Sequence, residues 1–146
     1  MSERNKALAR RIFDELENQG KLALADEIFA RDFVNHLPFG EMHGTEGAKQ
    51  FASMLRAGFP DLHTTVDDQI AEGDRVTTRW TARGTHTGEF LGVPPTSRRM
   101  EITGITISRI ADGKIVEQWG NPDLLSMMQQ LGAVEAPAQS GRAAGA

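Results

Sequence analysis

Apolar residues recur at helical spacing in the first part of the chain and at strand spacing in the second. Leu8, Ile12 and Leu16, flanked by Ala9 and Phe13, make one face over residues 4–18. That spacing predicts an amphipathic helix, with Gly20 closing it. Leu24, Ile28 and Phe29 predict a shorter helix over 21–30, followed by a brief extended segment, Phe33 to His36, cut off by Pro38 and Gly40. Thr45 is placed to cap a third helix carrying Phe51, Met54, Leu55 and Phe59, which Pro60 stops.

After Pro60 the period changes. Residues 64–71 and 75–86 read as strands joined by a tight turn at Gly73-Asp74. Residues 100–111 and 114–119 read as two more, joined at Asp112-Gly113, a strong two-residue hairpin signal. The Gly- and Pro-rich stretch from Gly84 to Arg99 predicts a long connection between two paired strands. Asn121-Pro122 is expected to open a last helix through Leu131, with proline at its first position, and Gly132 to end it. Residues 1–132 thus form one domain. The tail, 133–146, is rich in Ala, Gly and Ser and is expected to be disordered.

Helices followed by an antiparallel meander define an α+β class. The long strands predict a curved, mostly antiparallel sheet wrapped around the N-terminal helices and enclosing a deep pocket. Met100, Ile102 and Ile110 point to one face of their strand, Ile105 and Ile107 to the other. One face can pack on the helices; the other needs cover, and a second copy of the chain is the simplest source, so a homodimer is expected, with strands 75–86 and 100–111 forming much of its surface.

Composition narrows the chemistry. A chain of 146 residues can bury about two-thirds of its unfolded surface in a single core. There is no cysteine, which removes thiol catalysis and thiolate metal ligands, and no tyrosine, which removes a phenol as acid or oxyanion donor. The net charge of -4 disfavours nucleic-acid binding. No window reaches membrane-spanning length and the charged N-terminus lacks a signal-peptide core, so a cytoplasmic location away from membranes is expected. His36 and His43 have no third ligand at a suitable spacing, so no metal site is expected.

The order of elements and several local phrases resemble the SnoaL-like polyketide cyclase family, within the nuclear-transport-factor-like superfamily of cone-shaped α+β barrels. The matching phrases are Phe33-Val-Asn-His36, Phe59-Pro-Asp61, Gly73-Asp-Arg-Val76 with Arg79-Trp80, Gly84-Thr-His-Thr-Gly-Glu-Phe90, Pro94-Pro-Thr96, Asp112-Gly-Lys-Ile-Val-Glu-Gln-Trp119 and Gln129-Gln-Leu-Gly132. The resemblance implies a deep pocket, a homodimer and no cofactor. It also implies intramolecular aldol chemistry, in which a carboxylate removes an acidic proton beside a carbonyl and the enolate is delocalised through the substrate. The family pattern at the last strand is Glu-His-Trp-Asp, its His and Asp facing the pocket. This chain reads Glu117-Gln118-Trp119-Gly120, so the aspartate position is Gly120 and the histidine position Gln118.

The candidate residues follow from both lines of reasoning. His36, at the family's pocket-rim position, has an ordinary pKa suited to proton transfer, or it fixes its own loop. Asp123 is the carboxylate nearest the missing aspartate and stands as a displaced base, or it stabilises the last helix through its dipole. Gln118 and Asn121 can orient a carbonyl, and Thr106 lies where cyclases place a polar partner. Trp80 and Trp119 would wall a planar ligand, or else pack in the core. Arg79 is a possible substrate anchor, or one of a solvated or dimer-facing row with Arg75 and Arg83. The ligand expected is a small cyclic or aromatic carbonyl compound. The reaction expected is cyclisation, isomerisation or hydration; the alternative is a binding protein that has lost the cyclase base.

Overall fold

The computed structural model describes residues 2–135. Helix α1 (Ser2–Arg11) runs on into a π-helical turn (Ile12–Glu17), where the Asn18 N–H reaches five residues back to the Phe13 carbonyl at 3.0 Å. A 3-10 turn (Leu22–Leu24) leads into a short α2 (Ala25–Ile28). The chain then forms β1 (Phe29–Leu37), β2 (Gly40–His43), α3 (Gly44–Gly58), β3 (His63–Glu72), β4 (Arg75–Thr85), β5 (Arg99–Ala111), β6 (Lys114–Pro122) and α4 (Leu124–Gln130). One six-stranded sheet results, in the order β2-β1-β6-β5-β4-β3. Among the described residues only the β1–β6 pair is parallel, and the sheet they form does not close. The α+β expectation holds.

Four local expectations change. The helix expected over 21–30 ends at Ile28, because Phe29 already pairs with Ile115 at the head of β1. The loop around Gly40 is a strand, β2, paired with the end of β1. Helix α3 opens at Gly44, with His43 at its N-cap position and no side-chain cap, so Thr45 is not the cap. Pro122 closes β6 opposite Gly104 instead of opening the last helix. His86, in the long connection, is fully buried: that connection packs on the end of α3, and the His86 ring lies 5.4 Å from the ring of Phe59.

The helices share one face of the sheet. The α1 region packs on β3 and β4, α3 on β1 and β2, and α4 on β5. Along β5 the buried residues are Met100, Ile102, Gly104, Thr106, Ser108 and Ile110, a strict alternation that makes this the inner face. Ile105 stands 47% exposed on the outer face. Of the tail, Ala133 to Glu135 are described and exposed, while residues 136–146, where most of the expected disorder falls, lie outside the described residues. No helix of the structure is long and apolar enough to cross a membrane.

Candidate active site

The inner face of the sheet and the helices above it enclose a cavity with about 640 Å³ of empty space, its mouth included. Its walls are mostly apolar: Phe13 from the π turn, Phe51 and Leu55 from α3, Trp80 from β4, Ile102 from β5 and Met127 from α4. Four polar side chains interrupt them, Glu17, Thr64, Thr106 and Gln118.

Two strand irregularities decide which residues look inward. Ile110 pairs with Ile115, but Arg109 pairs with Glu117, so Val116 is an extra residue in β6. This bulge reverses the alternation beyond it. Gln118 and Gly120 therefore face the cavity, whereas a regular strand continuing from the buried Ile115 would have turned Glu117 and Trp119 inward. The second feature is a slot. Gly104 on β5 has no side chain, and the six-membered ring of Trp80 occupies the space that one would fill. So seated, the Trp80 indole Nε1–H donates to Thr106 Oγ1 at 2.9 Å.

The floor carries a row of polar groups on adjacent strands. Asn35 on β1 is the register partner of Gln118 on β6, and Gln118 of Ser108 on β5. Among the described residues, Asn35 Oδ1, Gln118 Oε1 and Ser108 Oγ are buried without a hydrogen-bond partner. Buried polar atoms are rarely left so; of the three residues, Gln118 lines the main cavity and, with Asn35, its smaller neighbour, where such groups suit a bound polar group.

Glu17 was not singled out by the sequence reading. It ends the π turn, only 8% exposed, and lines both the main cavity and a smaller one beside it that also touches Asn35 and Gln118. The Thr64 hydroxyl donates to its Oε1 at 3.3 Å. Burial among apolar walls pushes its carboxyl up to about 8, against the ordinary 4.5, with the Thr64 bond opposing the shift. Its backbone is well fixed. Arg56 donates to the carbonyls of Glu17 and Asn18, and the Asn18 amide makes two bonds with the Thr64 backbone, at 2.8 and 2.7 Å. A signal for Glu17 existed, since it continues Ala9 and Phe13 at four-residue spacing on the apolar face.

The expected site residues divide between the two faces of the sheet. Trp80, Thr106 and Gln118 line the cavity. His36 does not: Asn35 takes the inward position on β1, so His36 points outward. There Nδ1 lies 2.8 Å from Glu41 Oε2, and Nε2 lies 2.8 Å from Glu117 Oε2. Two carboxylate acceptors require both ring nitrogens to be N–H donors, which is the imidazolium. These bonds, led by that to Glu117, raise the His36 pKa, and the same pair with Arg109 lowers that of Glu117. Such a histidine has no lone pair left with which to act as a base. Trp119 lies on the outer face too, stacked on His36 at 5.6 Å, with the Arg75 guanidinium 5.3 Å from its ring centre. Arg79 and Asn121 are exposed on the outer face; both are register partners of Ile105, and Arg79 lies 3.9 Å from Asp67. Asp123 is exposed as the N-cap of α4, accepting from the Ser126 N–H at 3.1 Å. Its carboxyl serves the helix end because β6 runs on through Pro122.

Comparison with known proteins agrees with this fold. The profile of the SnoaL-like polyketide cyclase family matches residues 7–131. Nogalonic acid methyl ester cyclase of Streptomyces nogalater is 33% identical over 120 residues, covering 79% of this chain and 88% of that protein. Aklanonic acid methyl ester cyclase DnrD of Streptomyces peucetius is 30% identical over 131 residues, with 86% and 88% covered. Among solved structures, TsrD of Streptomyces laurentii superposes with a TM-score of 0.84 at 28% identity, covering 92% of this chain and 98% of that one. IdmH of Streptomyces antibioticus gives 0.76 at 40% identity, covering 88% and 98%.

Proposed function

Because this chain belongs to the SnoaL-like polyketide cyclase family, we propose that it binds a planar, cyclic or aromatic carbonyl compound in the inner cavity and closes a ring on it by proton transfer. The observation that carries this reading is the pairing of apolar walls with an unpartnered polar floor. Trp80, Phe51 and Leu55 offer flat apolar surface to a fused-ring substrate. Gln118, Asn35 and Thr106 offer groups that orient its carbonyl and hydroxyl oxygens. Ring closure of this type is an isomerisation: a carbon beside a carbonyl loses a proton, attacks a ketone carbon, and the ketone oxygen becomes a hydroxyl. No atoms enter or leave, and the substrate's own conjugation carries much of the developing charge.

The test uses nogalonic and aklanonic acid methyl esters, named in the relatives' activities. The protein should convert at least one to a product of unchanged mass and altered retention, with one ketone carbon replaced by a carbinol carbon in the NMR spectrum. Tight binding without conversion of either would favour a binding protein that keeps the pocket and not the reaction.

The outer face is proposed as the contact between two copies of the chain. It combines exposed Ile105 with Arg79, Arg83, Asp67 and Glu101, a mixture of signs that can complement itself across a two-fold axis. A monomeric mass in solution at micromolar concentration would contradict it.

A further inference from the structure

We propose that Glu17 is the proton-transfer residue of this cavity, taking a proton from an acidic carbon of the substrate and returning it to the oxygen of the newly formed alcohol; the inference rests on the cyclase reading above. In that cycle the electron pair of the C–H bond becomes the enolate and then the new C–C bond. The π pair of the ketone becomes the alkoxide, and the proton held by Glu17 quenches it. One carboxyl group serves both transfers and no co-reactant is needed.

Position singles out Glu17. Among the described residues lining the main cavity and its small neighbour, Glu17 is the single titratable side chain. The position at which the resemblance implies an aspartate is Gly120, the nearby Asp123 is spent on a helix cap, and His36 faces away between two carboxylates. Glu17 enters from the opposite side, off the helix and not the sheet, at the junction of the two cavities where Gln118 is also exposed to both. The groups that face it are known: Thr64 from β3 donates to its carboxyl, while Arg56 from α3 reaches only its backbone carbonyl. Among the described residues no cation sits on the carboxyl to hold it ionised. It is therefore a desolvated group able to accept a proton strongly and release it again near neutral pH, as a general base that must become a general acid requires.

The test needs a carbon acid that does not depend on the natural substrate. 5-Nitrobenzisoxazole is planar, bicyclic and apolar. A base removes its ring C–H proton, the C–H pair becomes part of a nitrile, and the N–O bond breaks to give a coloured phenolate. The wild-type protein should accelerate this elimination with a rate that rises as pH approaches about 8. Glu17→Gln, which keeps shape and removes the base, should lose about 100-fold or more, while Glu17→Asp keeps part of the rate and a titrating pH profile. Circular dichroism checks that each variant is folded.

Loss in Glu17→Gln, on this probe and in the ring-closure assay alike, is the result expected. A Glu17→Gln variant matching wild type in either reaction, or no acceleration by wild type in both, overturns the assignment. If wild type fails ring closure but accelerates the elimination through Glu17, the substrate reading falls and the assignment of Glu17 stands.

Discussion

The Trp80 indole Nε1–H donates to Thr106 Oγ1 at 2.9 Å, and the ring reaches that hydroxyl only because Gly104 leaves its space empty. Sequence, packing and site meet here. A glycine in the middle of a long central strand weakens it in isolation. In this fold the same glycine seats the aromatic wall of the cavity and directs its polar edge at a buried threonine.

Gly104→Ala should therefore displace the Trp80 ring and break its bond to Thr106. The cost should be about 1–3 kcal/mol from overpacking. Thr106→Val, leaving the ring in place but its N–H unpaired, should cost about 1–3 kcal/mol by a different route. Denaturant unfolding measures both. With Trp119→Phe as background, Trp80 is the sole tryptophan, and its emission should shift in Gly104→Ala more than in Thr106→Val.

Glu17 makes stability depend on pH in an unusual direction. Its carboxyl is raised in the folded state, so between the ordinary 4.5 and about 8 the unfolded chain gives up a proton that the folded chain keeps. Stability from this group is whole below 4.5 and falls across that window, by at most about 1.4 kcal/mol per pH unit. Glu17→Gln removes the slope. It should be more stable than wild type at pH 8 by roughly 1–3 kcal/mol, with the gap closing toward pH 4.5. Thermal unfolding across this range decides it, and a wild-type protein whose stability does not fall there would contradict the burial argument.

His36 works with the opposite partner chemistry on the opposite face. Its raised pKa means that its contribution is fully present below the ordinary 6.5 and is lost as pH rises through the raised value. The Glu117 contribution, from a lowered pKa, is present above 4.5 and lost as pH falls through the lowered value. The bridge between β1, β2 and β6 is then strongest in mildly acidic solution. His36→Gln should flatten the alkaline part of the stability curve and leave ring closure within a few-fold of wild type. Loss of turnover on that substitution would return His36 to the reaction.

Much of the fold was legible in the sequence, and the reasons differ by element. The helices over 4–18 and from 45, and the four strands after Pro60, announced themselves by period, because each has one buried and one exposed face. The first half of β1 was not legible: Phe29-Ala-Arg-Asp lacks alternation, and the register with β6 holds only Phe29 of these four before it resumes at Val34. The site was less legible than the fold. Gln118, Thr106 and Trp80 line the cavity, but Trp119 and His36 lie on the other face, and neither the Val116 bulge nor the parity of β1 that puts them there is visible in a linear pattern. Glu17 was overlooked for a simpler reason. A glutamate near a helix end reads as solvated unless its place on the apolar row is counted.

Gly120 offers a place on the inner face for a carboxylate. A Cβ there would come 3.1 Å from Leu37 Cδ2 and 4.0 Å from Asn35 Oδ1, so only the tip of a flexible side chain must yield. Gly120→Asp should fold, at a cost of about 1–3 kcal/mol. Its carboxyl should titrate well above the usual aspartate range, since burial disfavours the charge and the protonated form can donate to Asn35. Carbon-detected NMR of the labelled carboxyl reads this directly; an ordinary aspartate titration would mean that the side chain has turned to solvent.

The claim on which the rest depends is that ligand sits on the inner face of the sheet, between Trp80 and the Phe51–Leu55 side of α3. A crystal structure with 1,8-dihydroxyanthraquinone bound measures this most directly. The fused rings should lie against Trp80, with one oxygen within hydrogen-bond distance of Gln118 or Asn35 and Glu17 in contact with the ring edge. Ligand found instead on the outer face beside His36 and Trp119, with the inner cavity closed, would contradict it.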